Sequence, residues 1–122
     1  MSVAIARVYD PPTGRDRRVL VDRLWPRGLS KERAALELWA KDVAPSPELR
    51  VWYDHDPDRF TEFARRYRAE LTKSPAYEQL LLLHRWSRRS RVLLLTATRD
   101  LDLSGPAVLQ SVLEKMASNP VR

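Results

Sequence analysis

The segment Arg91-Val92-Leu93-Leu94-Leu95-Thr96-Ala97 constrains this chain more than any other. A strand wetted on one face alternates apolar and polar residues, whereas Val92 to Leu95 is unbroken and needs cover on both faces. Such a strand sits in the interior of a sheet with material layered above and below it. Val3 to Tyr9 reads as a first strand, stopped by Asp10-Pro11-Pro12-Thr13-Gly14, because proline removes a donor and fixes the backbone. Arg18 to Asp22 reads as a second, with Val19, Leu20 and Val21 apolar on both faces. The link between these two strands is short for a helical crossover, so a hairpin is open and the sheet is mostly parallel or mixed.

Helix signals fill the gaps. Ser30 caps a short helix through Ala35. Leu36 to Val43 alternates like a strand but also suits a helix. Ser46-Pro47, Asp56-Pro57 and Ser74-Pro75 each place a capping oxygen before a proline at the first helical position. In the second of these helices Phe60, Phe63, Ala64, Tyr67 and Leu71 form one apolar face. The third runs from Pro75 to about Arg88, with Leu80, Leu81 and His84 as inward candidates. A last helix spans Pro106 to about Ala117, ended by Ser118-Asn119-Pro120. The pattern specifies a small layered α/β domain with a sheet of three to four strands flanked by helices, one domain over residues 1–122.

Composition narrows the chemistry. With no cysteine, disulfides, thiolate catalysis and sulfur-ligated metals are excluded. Lysine and arginine outnumber aspartate and glutamate 22 to 16, a net charge of +6 that favours anionic partners. The N-terminus does not resemble a signal peptide, and the run Leu80 to Leu83 is far below the roughly 18 apolar residues of a membrane helix. A cytoplasmic protein with no membrane partner is the expectation.

In open α/β sheets ligands bind beyond the carboxyl ends of the strands. Asp22-Arg23-Leu24-Trp25-Pro26-Arg27-Gly28 follows the second strand, and Thr98-Arg99-Asp100 follows the last and leads to a helix start near Ser104-Gly105. Arg23, Arg27 and Arg99 can hold an anion there, assisted by backbone amides at the helix start. The competing assignment pairs them with Asp22, Asp42 or Asp100 and makes them loop ties. Asp54-His55-Asp56-Pro57-Asp58 is not a calcium loop, since Arg59 and Arg65 stand where Gly and Glu belong. It also offers too few ligands for a transition metal, so no metal and no cofactor is expected. His55 is suited to proton transfer, or simply adjoins a capped helix start. His84, among leucines, reads as a core or boundary residue. Trp25, Trp39 and Trp52, interleaved with arginines, suit either base stacking or packing. Three glycines, at 14, 28 and 105, cannot build a phosphate-cradling loop.

Two long blocks carry a resemblance. Val21-Asp22-Arg23-Leu24-Trp25-Pro26-Arg27-Gly28-Leu29-Ser30-Lys31 and Trp39-Ala40-Lys41-Asp42-Val43-Ala44-Pro45-Ser46-Pro47-Glu48-Leu49-Arg50 resemble the YeaO-like family of bacterial proteins of unknown function. Trp52, His55-Asp56-Pro57, Phe60, Phe63, Tyr67 and Glu70-Leu71 extend the likeness, which covers about Arg7 to Lys115. The resemblance implies a cytosolic α/β domain and marks Arg23, Trp25, Arg27, Trp39, Lys41, Ser46, Arg50, His55 and Asp56 as a common surface. It supplies no activity, substrate or cofactor. Family members tend to carry an Asn-His pair after the last strand, where this chain has Ser104-Gly105-Pro106. Longer relatives carry a Cys-His-Arg motif that has no counterpart here.

The leading expectation is therefore a cleft for a small anionic, phosphate- or nucleotide-like ligand. Arg23, Trp25, Arg27, Lys41, Ser46, Arg50 and Arg99 would bind it, and Asp22, His55 and Asp100 are the acid/base candidates if the site is catalytic. The alternatives are a nucleic-acid-binding module, motivated by the arginine excess, and a non-catalytic protein-interaction domain, which exposed Trp25 and Trp52 would favour. The sequence does not fix the oligomeric state.

Overall fold

The structure, a computed structural model, describes residues 2–12 and 14–118. Thr13 and the Asn119-Pro120 stop therefore lie outside the described residues. Strands β1 (Ser2–Arg7), β2 (Arg17–Leu20), β3 (Leu38–Trp39) and β4 (Arg91–Thr96) form one sheet in the order β1-β4-β2-β3. Every neighbouring pair is parallel. The helices are α1 (Lys31–Ala34), α2 (Pro47–Tyr53), α3 (Phe60–Glu70), α4 (Ala76–Ser87) and α5 (Gly105–Ser118). Single 3-10 turns occupy Lys41–Val43, Pro57–Arg59 and Leu101–Leu103.

The hairpin alternative is corrected. β1 and β2 do not pair; β4 lies between them, with Ala4 opposite Leu93 and Arg18 opposite Leu93 on the other side. The physical reason is the character of β4. Its side chains alternate between two cores, Val92 and Leu94 in one, Leu93 and Leu95 in the other, and all four are buried. Only an interior position covers both sets.

The two faces are covered unequally. Val19, Val21, Val92 and Leu94 pack against Leu49, Phe63, Tyr67, Leu80, Leu83, Leu109 and Leu113 from α2 to α5. The opposite face is closed by α1 and loop residues: Leu20, Leu93 and Leu95 meet Leu29, Ala34, Trp25 and Trp39. The segment after β2 is thus both a core lid and, at its tip, part of the surface.

Several local expectations are resolved. Ser30 accepts from the Arg33 amide (3.1 Å) and Ser46 from the Leu49 amide (3.1 Å), as capping requires. Asp56 caps the Asp58 amide (3.0 Å), but the start it makes is a 3-10 turn that passes into α3. Ser74 is not a cap: its hydroxyl donates to the Glu78 carboxylate (2.6 Å), and α4 starts at Ala76 after Pro75. In α4 the buried positions are Leu80, Leu83 and Ser87, while Leu81 and His84 are half-buried. The ambiguous stretch before Ala44 is a two-residue strand followed by a 3-10 turn. Among the described residues no helix is long and apolar enough to cross a membrane.

Candidate functional site

A cleft of about 820 Å³ opens at the carboxyl ends of β1, β2 and β4. Its floor and walls come from Tyr9 after β1, Val21 to Arg27 after β2, Ala97 to Asp100 after β4, the start of α5, Arg50, Val51 and Tyr53 of α2, and Asp54 and His55 just after it. This is where a parallel sheet leaves strand ends and a helix start facing the same space.

The wall after β2 is held by side chains that bond to backbone. The Trp39 indole donates to the Asp22 carbonyl (2.8 Å) and the Trp25 indole to the Leu29 carbonyl (2.7 Å). The two rings meet edge to face at 5.2 Å. Tyr9 donates its hydroxyl to the Arg27 carbonyl (3.1 Å). Gly28 adopts φ +75°, in the left-handed region that a side chain disfavours. The loop is therefore a fixed wall that carries Arg23, Leu24 and Arg27.

Asp22 ties β2 to β4. One carboxylate oxygen accepts from the Thr96 hydroxyl (2.7 Å) and the other from the Ala97 amide (2.8 Å). Burial pushes its pKa up, and the Ala97 amide, the Thr96 hydroxyl and the Arg50 charge pull against that shift. Arg23 is also committed: Nη2 donates to the Ala44 carbonyl (3.1 Å) and Nε to the Pro45 carbonyl (3.4 Å). Its partners are loop carbonyls, not the carboxylates the sequence suggested.

Arg27, Arg50 and Arg99 differ. All three line the cleft, all are exposed, and among the described residues none has a side-chain hydrogen bond or ion pair. At the cleft mouth Leu24 is 63% and Val51 79% exposed, the largest values among the exposed large hydrophobics. Deeper in, Tyr53 stacks on Phe63 with centroids 4.2 Å apart and donates its hydroxyl to the Leu103 carbonyl (2.6 Å). Burial first, then the nearby charges of Asp100 and Asp56, raises the Tyr53 pKa.

Of the ten residues expected in the site, Asp22, Arg23, Trp25, Arg27, Arg50, His55, Arg99 and Asp100 line this cleft, and Lys41 and Ser46 do not. The Lys41 ammonium lies 4.1 Å from the centroid of the Trp39 ring. The Ser46 hydroxyl caps α2 and donates to Glu70 (2.6 Å), whose other oxygen accepts the Ser46 amide (2.9 Å). His55 follows Asp54 at the end of α2, both with positive φ, and is exposed at the rim 6.3 Å from the Tyr53 ring. Asp100 is exposed at the start of the 3-10 turn. Trp25 and Trp52 are half-buried; the guanidiniums of Arg66 (4.2 Å) and Arg59 (5.2 Å) both pack over the Trp52 ring. That removes the observation which would have favoured a tryptophan-led protein interface.

Sequence reading missed Tyr9, Leu24, Val51, Tyr53 and Phe63 as lining residues. Tyr53 was reachable, since Leu49 and Tyr53 are four apart on the helix that Ser46 caps. Among the described residues no group of three or more His, Cys, Asp or Glu is placed to hold a metal ion.

Residues 2–120 match the family described as the inactive DUF488-N3 subclade. The chain is 50% identical over 114 residues to the uncharacterized protein Rv3073c of Mycobacterium tuberculosis strain H37Rv, spanning 91% of this chain and 92% of that protein. The uncharacterized protein Mb3100c of Mycobacterium bovis matches to the same extent, 50% over 114 residues and the same 91% and 92%. The uncharacterized protein YeaO of Escherichia coli K12 is 43% identical over 74 residues, 60% of this chain and 64% of YeaO. No solved structure matches.

Proposed function

The chain belongs to the inactive DUF488-N3 subclade, YeaO-like proteins of unknown function, and on that premise we propose that it is a binding domain for a small anion that carries an apolar body. The observation that carries this reading is the convergence of Arg27, Arg50 and Arg99, without partners among the described residues, on one cleft whose mouth is flanked by Leu24 and Val51. Guanidinium forks recognise carboxylate or phosphate in two-point fashion. The start of α5 at the same cleft adds partial positive charge. Exposed leucine and valine beside such cations suit an alkyl or aryl group attached to the anion.

Binding without turnover fits the side chains present. Asp22 has both carboxylate oxygens occupied. The Ser104 hydroxyl donates to the Leu101 carbonyl (2.6 Å) and accepts from the Ala107 amide (3.3 Å), so it is committed to the turn and to α5. The sequence holds no cysteine. His55 and Asp100 remain the groups through which acid/base chemistry would have to run.

Calorimetric titration with octyl phosphate, inorganic phosphate and octanol tests the proposal. Octyl phosphate is expected to bind best of the three, and to be recovered unchanged. Each of Arg27→Ala and Arg50→Ala is expected to weaken it about tenfold, the equivalent of roughly 1.4 kcal/mol for a lost charge-assisted contact. The pair Leu24→Ser and Val51→Ser is expected to weaken octyl phosphate but not inorganic phosphate. Equal binding by the wild type and by Arg27→Ala/Arg50→Ala removes the cleft as an anion site. Hydrolysis of the ester that is lost in His55→Ala or Asp100→Ala replaces binding with catalysis.

A further inference from the structure

We propose that the opposite edge of the sheet, where the strands begin, is a docking surface for the phosphate backbone of nucleic acid. Arg85 lies in the last turn of α4, Arg88 and Arg89 follow it, and Arg91 opens β4. Arg17 opens the neighbouring strand β2, opposite Val92, and Arg15 precedes it. The Arg17 guanidinium lies 4.5 Å from the centroid of the Trp86 ring, which joins α4 and β2 into one surface.

Two carboxylates answer these six arginines: Asp16 with Arg91 (3.7 Å) and Glu37 with Arg17 (3.4 Å). Arg15, Arg85, Arg88 and Arg89 are exposed and, among the described residues, have no side-chain hydrogen bond or ion pair. The local excess is four positive charges, most of the net +6 of the chain. Glu114 lines a groove with Ser87 beside this surface, and counting it leaves an excess of three. The C-terminal end of α4 carries about half a negative charge, which offsets only a fraction of three adjacent guanidiniums.

The partner follows from what else this edge lacks. Among the described residues the exposed large hydrophobics are Leu24 and Val51 at the cleft and Tyr77 at the far end of α4, none of them at this edge. A specific protein interface has an apolar or aromatic centre, whereas a phosphate backbone is held by cations alone. Arginine, with a planar fork for phosphate oxygens, supplies all six of the cations named at this surface. Trp86 is already covered by Arg17, so base stacking is not part of the contact and no sequence preference is expected.

Fluorescence anisotropy with a labelled oligothymidylate tests this on the full chain. Four phosphate contacts to a single strand predict about fifty-fold weaker binding when salt rises from about 50 to about 200 mM. The triple variant Arg85→Gln/Arg88→Gln/Arg89→Gln is expected to reduce the log–log salt slope by about two. The corresponding triple Lys variant keeps the charge and is expected to keep the slope, which separates charge from a structural role. The cleft variant Arg27→Ala/Arg50→Ala is expected to bind the oligonucleotide as the wild type does. The proposal is overturned by no binding at low salt, by loss of binding in the cleft variant with the triple Gln variant unaffected, or by tighter binding of an acidic peptide of equal charge. Those failures are distinct from failure of the cleft reading, which is measured with octyl phosphate.

Discussion

The two ends of the sheet are both rich in arginine and are built on opposite principles. At the carboxyl end the cations stand beside exposed leucine and valine in a concave space, on walls fixed by indole, tyrosine and carboxylate bonds to backbone. At the amino end they stand on turns and strand starts, with ion pairs at 3.4 and 3.7 Å and, among the described residues, no exposed large hydrophobic beside them. The difference teaches that arginine content alone assigns nothing; the neighbours of each guanidinium decide its work. Arg18 belongs to neither end. It is buried between β2 and α1, donating to the carbonyls of Ala34 (2.9 Å), Asp10 (3.3 Å) and Val8 (3.5 Å). Burial lowers its pKa and Asp10 partly restores it.

The sharpest way to break this division is to remove one arginine of each kind. Arg18→Ala leaves buried carbonyls without donors and is expected to cost roughly 2–4 kcal/mol, read by urea unfolding. Arg27→Ala and Arg88→Ala, at exposed and unpaired positions, are expected to stay within about 0.5 kcal/mol of wild type. Comparable losses at all three positions would mean that the exposed arginines are structural ties, and both binding proposals would lose their premise.

A smaller effect separates wall from rim. Trp39→Phe keeps most of the ring contact with Trp25 but removes the donor to the Asp22 carbonyl. The expected loss is about 1 kcal/mol. Amide exchange over Leu24 to Arg27 should quicken while exchange in α4 stays unchanged. Uniform quickening across both ends would show that the wall is not an independent unit.

Legibility in the sequence followed the range of the forces involved. The unbroken run of β4 announced a covered central strand, and the serines at positions 30 and 46 announced helix starts, because each signal is contained in a few adjacent residues. The order of the sheet was not so contained: a short link after β1 suits a hairpin until β4, some seventy residues later, takes the place between the two strands. Ser74 shows the same limit at close range, since Glu78 competes for the hydroxyl that would have capped the helix. For the site, motif membership identified residues but not their occupation. Lys41 and Ser46 lie in the same block as Arg50, yet packing on Trp39 and bonding to Glu70 take them away from the cleft. Leu24 and Val51 were invisible because an exposed apolar residue has no periodic signature; only the placement of both beside the same cations gives them meaning.

The finest comparison is between two carboxylates under opposite influences. Asp22 has its pKa raised, chiefly by burial, so its neutral form is the one that folding favours. Its contribution to stability is therefore present below the unfolded value and is lost as pH rises through the folded one. Glu62, on the exposed side of α3, accepts from Arg65 (2.9 and 2.6 Å) and Arg66 (2.8 Å), which lower its pKa to about 2. Its contribution runs the other way, present above the unfolded value and lost as pH falls toward 2. Carboxyl NMR titration should place Asp22 above and Glu62 below ordinary carboxylates. Arg65→Ala/Arg66→Ala should return Glu62 toward the ordinary range with little change in stability, because exposed pairs contribute little. In Asp22→Asn the stability loss with rising pH that belongs to Asp22 should disappear, whatever the amide does to the mean. If Asp22 titrates below an ordinary aspartate, the Ala97 amide and the cations of the cleft outweigh burial there, and the cleft is more strongly positive than its side-chain pairing implies.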